Sequence, residues 1–216
     1  MNNGTTHNVM LLQEPQYEPE MSMDNTVYDA EHEDRFIFEG RTMLVGSIYG
    51  MKSYQSNMAA LLRIGKWFDY LRSQEVYDNT RIILVADHGF ALEQFEDMIF
   101  GEWNMSTLHN PEDIMGYNPL LLVKDFNSKG FRVDHRFMTN ADTPVLALDG
   151  LIDAPMNPFT GKPITDAAKD AEEFHIFYTD LSNPKIDENT FLPGRWYALD
   201  GEDIFDLSAW SYMGYY

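Results

Sequence analysis

Asp87, His88 and Gly89 are the residues of this chain best suited to chemistry, and they directly follow the apolar run Ile82–Ala86. Such a run, rich in β-branched residues, is typical of a strand buried on both faces of a parallel sheet. Open α/β sheets bind their ligands at the carboxyl ends of these strands. A carboxylate and an imidazole can bind a divalent ion, while glycine lets the backbone turn sharply. The pattern therefore predicts metal ligands at Asp87 and His88, and the alternative is an ordinary turn.

The elements around this pair predict the framework that holds it. Apolar residues recur at helical spacing over residues 54–73, and a turn at Asp78-Asn79 leads into a strand at Arg81–Ala86. A helix, a turn and a buried strand make half of a βαβ unit, which favours a largely parallel sheet. A second buried strand is predicted at residues 120–123. A helix is predicted at residues 140–148, capped by Asn140 or Asp142.

The rest of the chain is predicted to be less regular. Residues 1–35 are expected to form mostly loop, followed by a short hairpin over residues 36–45. A strand is predicted at residues 174–178. Strands at Arg195–Leu199 and Ile204–Leu207 are predicted to form a closing β-hairpin. No linker divides the sequence, so we expect a single domain over residues 1–216.

Composition limits the partners of this protein. The 216 residues include 15 basic and 35 acidic side chains, and the net charge of −20 disfavours nucleic acid and anionic lipid as partners. An anionic ester substrate would need a bound cation to reverse the local field. The absence of cysteine excludes a thiol nucleophile and a cysteine metal site. No apolar stretch is long enough to span a membrane, and residues 1–20 lack the features of a signal peptide.

Five segments together carry a resemblance to a known family. They are Asn3-Gly4-Thr5-Thr6-His7, Gly65–Leu71, Val76–Gly89, Asn118–Lys124 and Asp142–Leu148. The chain resembles the carboxyl-terminal half of a catalytic domain from the sulfatase branch of the alkaline phosphatase superfamily. Bacterial members of this branch include lipoteichoic acid synthase and related phosphoglycerol and phosphoethanolamine transferases.

The resemblance implies a fold and a set of site residues. The fold is α/β, with a mostly parallel sheet flanked by helices, incomplete at one edge and followed by the C-terminal hairpin. Asp87 and His88 match the divalent-metal ligands, and the ion is Mn²⁺, Zn²⁺, Mg²⁺ or Ca²⁺. His7 matches a histidine that contacts the headgroup or leaving group, or else it is an ordinary loop residue. His109 is either a further ligand or a solvent-facing loop residue.

The resemblance also implies that part of the active site lies outside this sequence. In the family, the nucleophile and an acidic metal ligand belong to the first half of the domain, which would precede Met1. We therefore expect a fragment of a metal-dependent hydrolase or transferase of sulfate or phosphate esters, inactive without its N-terminal half. The sequence does not distinguish a sulfatase from a phosphotransferase, although Asp87-His88-Gly89 resembles the metal ligands of the transferases more closely. The incomplete sheet edge predicts self-association.

Two further expectations complete the interpretation. The parent protein is expected to be anchored in the cytoplasmic membrane with this domain facing outward, while the fragment itself is soluble. The alternative function is a non-catalytic carbohydrate-binding or interaction module, because aromatic side chains stack on sugar faces. Its candidate residues are Trp196, Tyr197, Trp210, Tyr212, Tyr215 and Tyr216. The competing interpretation is that these aromatic residues pack over the last strands.

Overall fold

The computed structural model describes residues 4–101, 110–135, 137–156, 161, 163, 173–179 and 193–216. The α-helices among them are α1 (Thr26–Glu31), α2 (Ile48–Ser73) and α3 (Thr143–Leu148). The strands are β1 (Ile37–Phe38), β2 (Arg41–Thr42), β3 (Ile82–Val85), β4 (Leu121–Lys124), β5 (Glu173–Thr179), β6 (Gly194–Asp200) and β7 (Trp210–Tyr215). Short 3-10 helices lie at Glu33–Phe36, Glu96–Met98, Ile114–Gly116, Asn140–Asp142 and Leu207–Ala209.

The chain divides into two compact units. The first unit comprises Met1–Thr80, Ala91–Asp97 and Asp125–Ser128, and it contains α1, α2, β1 and β2. The second unit comprises Arg81–Phe90, Met98–Lys124 and Lys129–Tyr216, and it contains α3 and β3 to β7. Each unit has its own set of buried apolar side chains. These are Leu12, Tyr17, Ala60 and Ala91 in the first unit, and Ile82, Met98, Ile114, Tyr197, Ala198, Leu199 and Trp210 in the second.

The long helix α2 is defined by specific contacts at both ends. At its start, the hydroxyl of Ser47 accepts a hydrogen bond from the backbone N–H of Gly50 at 2.9 Å. At its end, Glu75 takes a left-handed conformation with φ 58°, and the N–H of Val76 donates to the carbonyl of Leu71 at 3.1 Å. This is the Schellman arrangement, here formed with glutamate in place of the usual glycine. The predicted helix is therefore confirmed, with an earlier start.

Charged side chains such as Arg63, Lys66 and Asp69 interrupt the apolar positions of α2, which has 26 residues. Among the residues that the structure describes, no helix combines the length and the apolar character needed to cross a membrane. This finding agrees with the absence of a long apolar stretch from the sequence.

The hairpin of β1 and β2 lies within the predicted range of residues 36–45 and turns at Glu39 and Gly40. Ile37 pairs with Thr42 in the antiparallel register. Glu39 and Gly40 have φ angles of 49° and 80°, and positive φ at both central residues is typical of a type I′ turn. Glycine accepts this conformation without strain, so the Glu-Gly pair explains why the chain reverses here.

The predicted parallel sheet is wrong. Every sheet in the described residues is antiparallel and has two or three strands, in the orders β1-β2, β3-β4 and β5-β6-β7. The described chain is thus a mixed α/β structure and lacks a mostly parallel sheet flanked by helices. An apolar run indicates that a strand avoids water, but it does not determine the direction of the neighbouring strand. The order of α2 and β3 is compatible with a parallel sheet without requiring one.

The strands β3 and β4 form an antiparallel ribbon in the second unit. Ile82 lies opposite Lys124, and Val85 lies opposite Leu121. Burial decreases along β3, because Ile82 is 6% exposed whereas Val85 is 43% exposed. The strand that precedes Asp87 therefore begins in the core and ends near solvent.

The C-terminal sheet corrects the predicted closing hairpin. Its first strand coincides with β6, but its second strand is β7, farther along the chain than the predicted Ile204–Leu207. Asp203 and Asp206 explain the difference, because their carboxylates accept hydrogen bonds from the N–H groups of Phe205 and Ser208. These local bonds stabilise turns in the segment that the apolar pattern assigned to a strand.

Candidate functional site

Two side chains that can bind a metal ion are exposed at the end of β3. The side chains of Asp87 and His88 are 92% and 69% exposed, and Asp87 Oδ2 lies 3.9 Å from His88 Nε2. An exposed pair at this distance contributes little to folding, because water screens the charges. The two side chains therefore remain accessible to a ligand.

Two local hydrogen bonds orient the pair. The backbone N–H of His88 donates to Asp87 Oδ1 at 3.1 Å. His88 Nδ1 lies 2.5 Å from the carbonyl oxygen of Gly89, and a carbonyl oxygen only accepts, so Nδ1 carries the proton. In the neutral imidazole the lone pair is then on Nε2, the nitrogen nearest to Asp87 Oδ2. The two remaining donor atoms are thus one carboxylate oxygen and one imidazole nitrogen.

Close backbone packing fixes the turn at Gly89. Its N–H donates to the carbonyl of Gly116 at 3.0 Å. A Cβ atom at this position would lie 1.8 Å from the carbonyl oxygen of Met115, far inside contact distance. The φ angle of Gly89 is outside the left-handed region. Glycine is therefore required by the approach of another backbone segment and not by a conformation forbidden to other residues.

The segment that meets Gly89 is held by buried polar side chains. Asp113 is fully buried, and its carboxylate accepts a hydrogen bond from the N–H of Met115 at 3.0 Å. Asn110 is 4% exposed and accepts from the N–H of Glu112 at 2.9 Å. These bonds satisfy backbone donors in a tight turn. No pattern in the sequence points to the role of this segment in positioning Gly89.

Asn140 supports the strand end from a distant part of the chain. Its Nδ2 donates to the carbonyl oxygens of Ala86 and Asp87, at 3.1 and 2.8 Å. The sequence predicted Asn140 or Asp142 as a helix cap. Asp142 stands at the N-cap position of α3 but makes no side-chain capping bond there. In the preceding 3-10 helix the N-cap is Thr139, and the Asp142 carboxylate accepts from the Thr139 N–H at 2.6 Å as the third residue of a capping box. No sequence signal points to the Asn140 contact, since 53 positions separate it from Asp87.

His7 lies in the first unit, whereas Asp87 and His88 lie in the second. Residues 4–7 form a turn in which the N–H of His7 donates to the carbonyl of Gly4 at 3.1 Å. The His7 side chain is exposed and forms no hydrogen bond or ion pair with the residues that the structure describes. The position of His7 is compatible with both interpretations of this residue, and its role stays a prediction.

Among the described residues, no other histidine groups with this pair as a further ligand. His109 lies outside the described residues. The ring of His32 stacks on Tyr28 with centroids 4.0 Å apart, and its Nδ1 lies 3.0 Å from the Tyr28 carbonyl. His175 Nε2 lies 2.6 Å from Glu173 Oε1 on β5. Across residues 4–101, 110–135 and the later described ranges, no three His, Cys, Asp or Glu side chains group to hold a metal ion.

A second ionisable cluster is buried in the core of the second unit. Glu112 is 8% exposed and Tyr197 is fully buried; Glu112 Oε2 and the Tyr197 hydroxyl have no hydrogen-bond partner among the described residues. Burial raises the pKa of the Glu112 carboxyl, and the charge of Arg195 only partly opposes this effect. Burial also raises the pKa of Tyr197 to about 12. Because these atoms are shielded from solvent, the cluster is part of the core and not an open site.

The C-terminal aromatic residues divide between the core and the surface. Trp210 is 7% exposed and stacks on Phe100 with centroids 4.7 Å apart, so packing explains this residue. Tyr197 is buried in the same core. Three tyrosines at the chain end are 51%, 62% and 74% exposed, namely Tyr212, Tyr215 and Tyr216. Part of the predicted aromatic set is therefore structural, and part is available at the surface.

Comparisons of the chain with models of protein families, with curated proteins and with solved structures gave no match. The resemblance to the sulfatase branch therefore stays a prediction. Functional inference rests on the geometry of the strand end and on the chemistry of its donor atoms.

Proposed function

We propose that Asp87 and His88 provide two ligands of a divalent metal ion in a sulfatase-like hydrolase or transferase of sulfate or phosphate esters. The observation that carries the proposal is the exposed carboxylate–imidazole pair, whose donor atoms lie 3.9 Å apart. One carboxylate oxygen and one imidazole nitrogen suit Zn²⁺ or Mn²⁺, and the carboxylate also suits Mg²⁺ or Ca²⁺. The donor set therefore fits the ion that the resemblance implies.

When bound, the ion would stabilise negative charge on the oxygens of the ester. Residues of this chain orient the atoms that would bind the ion. The Gly89 carbonyl keeps the proton of His88 on Nδ1 and so leaves Nε2 as the ligand atom. Asn140 donates to the carbonyls of both Ala86 and Asp87, which limits movement of the pair. The net charge of −20 makes a cation necessary for binding an anionic ester.

The remaining parts of the reaction follow from the resemblance. His7 would protonate or position the leaving oxygen. The nucleophile and an acidic metal ligand would come from the N-terminal half of the catalytic domain, as a separate part of the parent protein. That parent would be attached to the cytoplasmic membrane with the domain outside. Sulfate and phosphate esters both remain candidates, because the nucleophile distinguishes the two reactions.

Metal titration tests the pair directly. We expect Mn²⁺ or Zn²⁺ to bind weakly to this chain, because catalytic zinc sites normally use three protein ligands. The double variant Asp87→Asn with His88→Gln should weaken binding by roughly tenfold or more, since each lost donor removes a metal bond. The matched control is Glu173→Gln with His175→Gln, which alters another exposed carboxylate–imidazole pair in the same unit.

Calorimetry gives the affinity, and paramagnetic broadening by Mn²⁺ shows which imidazole the ion approaches. The His88 ring signals should broaden before those of His175. Equal affinity in the wild type and in the Asp87–His88 variant would contradict the proposal. Hydrolysis of p-nitrophenyl phosphate and sulfate should be absent for this chain alone, and robust turnover would show that it supplies a complete site.

A surface for sugars is a second candidate function, favoured by the exposure of Tyr212, Tyr215 and Tyr216. The Arg195 guanidinium lies 5.6 Å from the ring centroid of Tyr212, so a polar group adjoins the aromatic surface. Stacking of sugar rings on these tyrosines would give saturable binding of an oligosaccharide. Tyr215→Ala should then reduce binding while the metal affinity stays unchanged, and an unchanged oligosaccharide affinity would exclude this surface.

A further inference from the structure

The ribbon of β3 and β4 leaves apolar side chains in contact with water. Leu120, Leu122 and Val123 are 47%, 36% and 46% exposed, and Val85 on the neighbouring strand is 43% exposed. An isolated two-stranded ribbon is only marginally stable in water, and a third strand is the usual addition. The ribbon therefore resembles an incomplete sheet more than a finished one.

The backbone of β4 offers unpaired groups on its outer edge. The N–H of Ala86 donates to the carbonyl of Leu120 at 2.9 Å. Leu120, and Leu122 two positions later, therefore direct their backbone N–H and C=O groups toward β3. By the alternation of an antiparallel ladder, Leu121 and Val123 direct theirs away from β3. No backbone group in the described residues pairs with these outward groups.

The segment that contains α3 lies beside β3. Arg81 Nη1 donates to the carbonyl of Asp149 at 2.7 Å, just beyond α3. Asn140, just before α3, donates to the carbonyls of Ala86 and Asp87. The segment from Asn140 to Asp149 thus contacts the chain at both ends of β3. Within the described residues, no backbone group pairs with the outer edge of β4.

We propose that the outer edge of β4 binds an extended strand of a partner polypeptide. The N–H and C=O groups of Leu121 and Val123 would continue the ladder, and apolar side chains at alternate positions of the partner would cover Leu120 and Leu122, which share one face of the ribbon. This recognition is independent of the metal ligands, because it uses backbone groups of a different strand. Neither Asp87 nor His88 is needed to form this interaction surface.

Charge identifies the kind of partner strand. The protein carries 35 acidic and 15 basic side chains, so a strand with flanking Lys or Arg residues is attracted to it. A second copy would bring another net charge of −20 and be repelled. The occupant is therefore a basic-flanked, apolar strand from another polypeptide. Association should weaken as salt screens the charges.

The test uses the whole chain and the capped peptide Lys-Thr-Val-Thr-Ile-Thr-Val-Thr-Lys as the probe. We expect saturable binding by fluorescence anisotropy, and slowing of amide exchange at Leu121 and Val123 by roughly tenfold or more. The same peptide N-methylated at alternate amides cannot continue the ladder and should give neither effect. A peptide flanked by Glu in place of Lys should bind more weakly.

A pair of variants separates strand pairing from simple apolar contact. Val123→Pro removes an outward N–H that the ribbon itself does not use, so the fold is kept while peptide binding is lost. Val123→Thr keeps the N–H and should keep binding. Absence of peptide binding, equal binding of the N-methylated peptide, or protection at other amides would each overturn the proposal. Protection of Leu121 that rises with protein concentration and no peptide would assign the edge to a second copy and also overturn it.

Discussion

Two carboxylate sites in this molecule use opposite arrangements, and the contrast separates structural side chains from candidate ligands. In the first unit, Glu14 is buried: its Oε2 accepts from Arg35 Nη2 at 2.9 Å and its Oε1 accepts from Gln55 Nε2 at 3.0 Å. At the end of β3, Asp87 is 92% exposed and His88 is its nearest ionic partner at 3.9 Å. Glu14 is fixed by side chains, whereas Asp87 is fixed through its backbone.

The difference indicates which of the two carboxylates could bind a ligand. Both oxygens of Glu14 are occupied, and Gln55 continues the network by accepting from the N–H of Leu12 at 2.8 Å. A metal ion could reach Glu14 only by breaking these bonds. At the strand end, the backbone is held by the close packing of Gly89 and by the hydrogen bonds of Asn140. A ligand could therefore bind the Asp87 carboxylate without destabilising the fold.

Removal of each carboxylate gives the largest expected contrast. Glu14→Ala should destabilise the first unit by about 3 kcal/mol, because it leaves Arg35 and Gln55 buried with fewer partners. Asp87→Ala should change the stability of the second unit by less than about 0.5 kcal/mol, as surface substitutions usually do. Amide exchange of α2 and of β3 measures the two effects separately. Similar losses for both variants would show that Asp87 is also structural.

A second prediction concerns the backbone that supports the strand end. Gly89→Ala places a Cβ atom against the carbonyl of Met115, so we expect a loss of about 2 kcal/mol or more from the second unit. Gly65→Ala is the matched control, because no atom lies within 4 Å of the added Cβ and the residue is inside α2. That control should stabilise the helix by about 1 kcal/mol.

Chemical denaturation, followed by signals from each unit, distinguishes these outcomes. Gly89→Ala should also weaken Mn²⁺ binding if the turn positions His88. A Gly89→Ala protein as stable as the wild type would mean that Met115 moves easily, and the turn would then not fix the pair.

The sequence predicted local elements better than their assembly. The apolar runs before Asp87 and after Pro119 correctly indicated strands, and helical spacing correctly indicated α2. Side-chain periodicity depends on each element's own residues, so it can be read locally. Strand direction depends on contacts between distant segments, and the antiparallel pairing of β3 with β4 had no local signal.

The candidate site shows the same division. Asp87, His88 and Gly89 were recognisable because they are adjacent in sequence and follow an apolar run. Asn140 and Asp113 were not recognisable, because their hydrogen bonds depend on the fold or on a turn without a strong pattern. Exposure also required the structure, since it separates Tyr215 from the buried Tyr197.

The smallest predicted effect concerns Glu112, a carboxylate between the two extremes. It is 8% exposed like a structural group, yet its Oε2 has no hydrogen-bond partner among the described residues and packs against Gly101. Burial raises its pKa, so the folded state favours the protonated form. This contribution to stability is complete below the pKa of the unfolded chain and is lost as pH rises through the folded pKa.

Glu112→Gln should remove this pH dependence, because the amide stays neutral. We expect the variant to gain stability relative to the wild type as pH rises above the pKa of the unfolded carboxyl, measured by urea unfolding of the second unit through its aromatic circular dichroism. Glu202→Gln, an exposed residue of the same unit, controls for general charge repulsion at a net charge of −20. Equal pH profiles for Glu112→Gln and the wild type would mean that Arg195 compensates the buried charge in the folded protein. Glu112 would then belong with Glu14 as a paired structural carboxylate.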